Sequence, residues 1–310
     1  MTIESARQRI AALWERAAFA AEPAVNLAMA RIVVGLHTLW ILLSRDPSAM
    51  SGTPTEFWRG VSASARLRYL IFPQMTALEP VIQGAVVIAL ILLILGVAAR
   101  PAGLIAAVGI YHLAPLETLI WTASPYARGL TLAPLMLVVL AVSPCDRALS
   151  PGSRGQRDTH ASWEYGWPLR LMQLWVAQIY LFSLIGKLLR TGWTWGSAEH
   201  MRDWFLWFNQ DPQVAVFSTM GLWLADHPVL CALIGVTTMA LEAVFVAAVF
   251  SPRARRWLVP VALAFHVGIL LTLNVHVAET WLLLIFTNWG WVYAQIQRRS
   301  ASQTLDTRPA

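Results

Sequence analysis

The chain carries twenty-two arginines and one lysine, Lys187. That lysine stands near the end of an apolar run, WPLRLMQLWVAQIYLFSLIGKLLR, over 167–190. Amine and guanidinium are not equivalent at membrane depth. A desolvated lysine loses its proton readily and can work as a neutral amine base, whereas arginine stays charged. A lysine near a span end also serves as an anchor, its stem along the apolar surface and its head in the interface. Counted back at helical spacing, Arg170, Gln173, Ala177, Tyr180 and Leu184 fall on the side of Lys187, with Ser183 one turn before it. Such a polar stripe must face protein or a water-filled cavity.

Three further ionisable groups fall inside apolar runs: Arg31, Glu242 and His266. A charge at the centre of a bilayer costs ~2.5–3.5 kcal/mol even on an insertion scale, so each needs a partner or a function. All three lie at similar depth. One reading is an Arg31–Glu242 ion pair that clamps two helices, with His266 close by; the competing one is a polar pocket for a ligand or a proton. Asn274 and His276, in HVGILLTLNVHVAE (266–279), come at the level of Lys187 and can share a cavity with it. Two positions apart on a helix, they point to opposite sides. His37 and His112 read as helix-to-helix hydrogen bonds. His160, His200 and His227 fall in loops. Cys145 and Cys231 stand alone, so neither a metal site nor a redox pair is indicated, and no H-E-x-x-H, G-x-S-x-G, P-loop or G-x-G-x-x-G element occurs.

The elements that must position these groups follow from composition. With 57% hydrophobic and 13% charged residues and a mean hydropathy of +0.56, the chain is too apolar for a water-soluble surface. Disordered, fibrous and disulfide-stapled classes are excluded on the same ground. The sixteen tryptophans suit membrane–water interfaces. The pattern predicts an all-α integral membrane bundle of about eight transmembrane helices, near 24–44, 79–99, 102–121, 127–143, 167–188, 228–250, 257–276 and 280–297. Residues 1–22 read as an interfacial amphipathic helix rather than a cleavable leader, 23–297 as the transmembrane domain, and 298–310 as a disordered cytoplasmic tail. The apolar stretches at 204–208 and 214–225 are too short to span and read as interfacial or re-entrant helices. Twice as many arginines fall on the side of the N-terminus as opposite it, which predicts a plasma (inner) membrane protein with both termini cytoplasmic. The net charge of +6 is spread over short loops rather than gathered on one face, which argues against nucleic acid as a partner.

The run IYLFSLIGKLLRTGWTWGSA (179–198), a Tyr-Phe-rich helix ending in a lysine and followed by Trp and Gly, resembles the signature of the horizontally transferred transmembrane (HTTM) family, which includes the membrane part of vitamin K-dependent γ-carboxylase. LAMARIVVGL (27–36), RGLTLAPLMLVVLAVSPCDRALS (128–150), TMALEAVF (238–245) and LAFHVGILLTL (263–273) resemble further pieces of that family in the same order. The likeness implies that Lys187 is the base toward a hydroquinone; Asn274 and His276, placed at its level by the sequence, are the neighbouring candidate catalytic groups. Tyr180, Trp193 and His266 are the candidate contacts to a quinone-like cofactor. This chain has Gly186 where family carboxylases carry a second lysine, and SPYARG (124–129) where they carry a His-Asn-rich stretch. Their extramembrane substrate-binding domain has no counterpart in these residues. The implied chemistry is therefore that of a quinone or another lipid-soluble molecule. Two function classes stand: an enzyme using Lys187 as general base, and a non-catalytic binding or partner subunit surrounded by lipid. A transporter is a third, without the paired broken helices of that class. The residues name neither a cofactor nor a protein partner.

Overall fold

The computed structural model describes residues 15, 18–44, 78–113, 125–153, 161–211 and 217–306. The helix expected over 1–22 and the connection 45–77 lie outside these, apart from the last residues of the former. The described residues are almost entirely helical, with one two-residue antiparallel pairing, β1 (Glu22–Pro23) with β2 (Ala161–Ser162). Three helical stretches are long and apolar enough to cross a membrane: Ala24–Leu43, Trp163–Gly196 and Pro252–Leu273. Shorter apolar helices cover Glu79–Leu95, Leu132–Val142 and Pro228–Val244.

The described chain forms two compact units, one of residues 1–172 with 287–310, the other of 173–286. In the first, α1 (Ala24–Leu43), α2 (Glu79–Leu95), α3 (Ala99–Leu113) and α4 (Pro125–Val142) pack side by side. Their inward positions are aliphatic and small: Leu27, Val34, Leu90, Leu93, Ala106 and Leu137 are buried. Their outward positions are also aliphatic, for example Ile88 at 62% and Leu104 at 52% exposure. Apolar residues all round a helix are what a lipid environment permits and water does not.

Arg31 is fully buried in this unit. Its guanidinium donates to the backbone carbonyls of Cys145 (2.8 Å), Leu149 (2.7 Å) and, more weakly, Ile94 (3.4 Å). The expected clamp to Glu242 is therefore corrected. A fork of N–H donors fits the carbonyls left unpaired where a helix ends and a loop turns, and three dipoles answer its charge without a carboxylate. The turn that makes room for it is Gly96, the left-handed cap of α2 at φ 76°. A Cβ there would stand 2.7 Å from Arg31 Nη1. Beside it, burial pushes the Cys145 thiol up to about 11.

A second polar knot ties the unit's ends. Glu22 accepts from Arg170 (2.6 Å) and from Asn26 (2.7 Å), and Asn26 accepts from the backbone N–H of Gly290 (2.8 Å). Arg170, placed by spacing on the stripe of Lys187, is thus engaged with Glu22.

Three span expectations change. The sixth ends early: α8 (Pro228–Val244) stops short, and a separate short helix, α9, covers Ala247–Phe250. The seventh, α10 (Pro252–Leu273), stops before Asn274. The eighth is not one helix. Ala278–Phe286 is a 3₁₀ run, and α11 (Trp289–Asp306) begins afresh, with Asn288 accepting from Trp291 N–H at 3.1 Å in the manner of an N-cap. That last helix continues through most of the tail expected to be disordered.

Candidate functional site: a lysine and its carboxylate among apolar helices

The second unit takes the C-terminal part of α5 (Trp163–Thr191), the 3₁₀ turn Gly192–Gly196, α6 (Ala198–Asn209), α7 (Met220–Ala225), then α8 (Pro228–Val244), α9 and α10. The turn Gly192–Gly196 lies against α8, and two glycines permit it. A Cβ on Gly235 would come within 2.8 Å of the Gly196 backbone. This close approach sets Trp195 beside the end of α5. Below it, Met201, Phe205, Leu224, Ala225 and Cys231 form a buried cluster.

Lys187 is ion-paired with Glu242 and also donates to Ser183 Oγ at 2.9 Å. Its Nζ lies over the ring of Trp195, 4.4 Å from the centroid. The side chains of Lys187 and Glu242 are 16% and 5% exposed. A carboxylate, a hydroxyl oxygen and an aromatic face are thus among the contacts of the ammonium. The other carboxylate oxygen of Glu242, Oε2, is buried and without a hydrogen bond. A buried acceptor left unmade is costly, so this atom is where a proton or an O–H group gains most.

Two turns back from Lys187 along α5, the Tyr180 hydroxyl is 2.8 Å from His266 Nε2, and the Tyr180 ring stacks on Phe245 with centroids 4.1 Å apart. Glu242 and Glu279 both act electrostatically on Tyr180. His266 Nδ1, like Glu242 Oε2, is buried without a hydrogen bond. Four polar side chains from α5, α8 and α10 are thus gathered in one unit, with two unpaired ring or carboxylate atoms among them. Among the described residues no group of His, Cys, Asp and Glu has the arrangement of a metal site.

The sequence-chosen residues divide. Lys187, Glu242, Tyr180 and His266 come together. Trp193 is 80% exposed, and the tryptophan over the lysine is Trp195. In the five-residue 3₁₀ turn the two rings point differently, which the pattern W-T-W cannot distinguish. Asn274 is a structural residue. It takes the left-handed conformation at φ 54° and caps α10. Its Oδ1 accepts from the N–H groups of Phe217 and Ser218 (2.9 and 3.1 Å), and its Nδ2 donates to Asn209 Oδ1 and Ser218 O (2.9 and 3.0 Å). With those four bonds its side chain has no capacity left for a cavity shared with Lys187. Because the helix ends before it, the opposed facing expected for Asn274 and His276 does not apply; His276 is half-buried in the connection that follows.

Asn274→Ala is expected to cost about 2–3 kcal/mol, since several net hydrogen bonds of roughly 1 kcal/mol each and a tolerated left-handed residue are lost together. Asn274→Gly should recover the backbone share alone. Denaturation in detergent of both variants checks this; an Asn274→Ala protein as stable as the parent would show that the capping network is not stabilising.

Comparison with known proteins finds no matching family model, no matching curated protein and no matching solved structure.

Proposed function

We propose that this chain is a multi-pass membrane protein with an acid–base site for a lipid-soluble, hydroxyl-bearing molecule of the hydroquinone type, built on the Lys187–Glu242 pair. The likeness of 179–198 and four further segments to the HTTM family supports the class of molecule. The plasma membrane setting, a bundle of about eight spans and cytoplasmic termini belong to the same proposal and rest on the apolar runs and the arginine bias.

The observation that carries the reading is the unpaired, buried Glu242 Oε2 beside a lysine that contacts a carboxylate, a hydroxyl and an aromatic face. The two groups act as one coupled unit. A hydroquinone O–H placed at Oε2 gives its proton to the carboxylate. The resulting oxyanion is then neutralised by the Lys187 ammonium, and the site's net charge stays constant through the step. Lys187 is in this reading the electrostatic partner and Glu242 the proton acceptor. Tyr180 and His266 provide the second polar contact, and Phe245 a flat apolar wall. A non-catalytic binding role uses the same contacts without turnover.

The test is hydroquinone-dependent oxygen uptake by the purified protein. Glu242→Gln, which keeps shape and hydrogen-bonding capacity but cannot take a proton, is expected to lower the rate ~10²-fold or more. Lys187→Arg should keep a measurable fraction, and Lys187→Met none. Wild-type turnover in Glu242→Gln would end the proton-acceptor assignment, and hydroquinone binding without oxygen uptake would leave the binding-protein reading in its place.

A further inference from the structure

We infer that a cavity in the first unit, framed by the turn 96–98 and the loop 146–153, binds a phosphate group. It is separate from the Lys187 site and does not depend on that reading. The cavity measures about 580 Å³ and is lined by Arg100, Arg147, Asp146, Val97, Ser150 and Ser153 among others.

The charges around it do not cancel. Arg100 and Arg147 are exposed and have no hydrogen-bond or ion-pair partner among the described residues. Asp146 is the one acid in the lining, and its Oδ1 is buried without a hydrogen bond. Two guanidinium groups thus stand against one carboxylate, and the lining carries a net positive charge. Guanidinium offers paired N–H donors that match phosphate oxygens.

The backbone adds to this field. The fifteen-residue helix α3 (Ala99–Leu113) opens at the cavity, with Arg100 in its first turn. The first N–H groups of a helix have no partner inside it, and the dipole is positive there. Ala102 is the first residue of that turn to bond back, to Ala98 O at 3.0 Å.

The opposite wall is already shaped. Ser150 Oγ donates to Asp146 O (2.6 Å), Ser153 Oγ to Ser150 O (2.8 Å), and Ser150 N–H to Ser153 Oγ (3.0 Å). Arg31 holds the carbonyls of Cys145 and Leu149 from behind. A site that is closed on itself before the ligand arrives loses little order on binding. Val97 and Leu95, 40% and 55% exposed, put apolar surface next to the arginines. The phosphate can belong to a lipid headgroup or be free in solution, and the two sources are separated by experiment.

The full chain in phosphatidylcholine nanodiscs is titrated with dioleoyl phosphatidic acid, and in detergent with inorganic phosphate, following retention of the lipid by native mass spectrometry and phosphate binding by calorimetry. The wild type is expected to bind at least one probe. Arg100→Gln/Arg147→Gln should weaken binding by roughly tenfold or more, since each basic residue near an anionic surface contributes on the order of fivefold. The control Arg253→Gln/Arg256→Gln makes the same change in net charge at residues that do not line the cavity and should leave binding within about twofold of the wild type. Phosphatidic acid alone bound, or inorganic phosphate alone bound, each supports the site and fixes the source. No binding of either probe overturns the inference. So does a double variant that binds like the wild type, or a control that loses as much.

Discussion

Glu242→Leu is expected to destabilise the folded protein by about 3–5 kcal/mol, because it removes the carboxylate from a Lys187 ammonium only 16% exposed. Ser183 and Trp195 remain beside the lysine, but a hydroxyl and a ring face do not replace a carboxylate. Lys187→Met should cost a similar amount, leaving the carboxylate alone. The double variant Lys187→Met/Glu242→Leu is expected to recover most of the loss, since two apolar side chains of similar volume need no partner. Denaturation in detergent yields all four free energies of the cycle. Single variants as stable as the parent would mean that the pair is wet rather than buried. The same cycle separates stability from chemistry, because the double variant should fold well and still lack hydroquinone-dependent turnover.

Arg31→Met is the second large effect. It removes donors from the carbonyls of Cys145 and Leu149, and a weaker one from that of Ile94. Each buried carbonyl left unpaired costs about 1–3 kcal/mol, so a total of about 3–5 kcal/mol is expected. Arg31→Lys should fall between, because an ammonium is a point charge and cannot fork between carbonyls on two segments. A local readout accompanies the global one. Cys145 is 1% exposed and its thiol is held protonated, so the parent should resist maleimide at neutral pH. Arg31→Met should let the loop open and the thiol react. Unchanged labelling together with unchanged stability would remove Arg31 from its role as the fastening of that loop.

Lys187 was legible from composition alone, as one amine among twenty-two guanidinium groups. Its partner was not. Depth counted along runs of uniform length put Glu242 level with Arg31, yet α8 ends at Val244, only two residues beyond Glu242, and α5 starts at Trp163, earlier than the apolar run suggests. Helix ends move depth, and helix ends are set by turns that hydropathy does not show. Arg31 misled for a different reason. A buried cation invites a search for an anion, but its partners are backbone carbonyls, which no side-chain pattern records. Asn274 illustrates a third limit: the same residue type suits a polar cavity and a left-handed cap, and only the position of the helix end decides. The two longest apolar helices of the second half, by contrast, were plain in the sequence, because a run of twenty apolar residues leaves few alternatives.

The division of the chain into two units carries a consequence for how the protein is made. The second unit is continuous, 173–286, whereas the first is assembled from 1–172 and 287–310. Asn26, near the start of α1, receives its hydrogen bond from Gly290, which the ribosome adds 264 residues later. During synthesis the earlier unit must wait, incomplete, while the later one can finish. Order of emergence and order of completion are therefore reversed, and the final helix is the piece that closes what the first helix began.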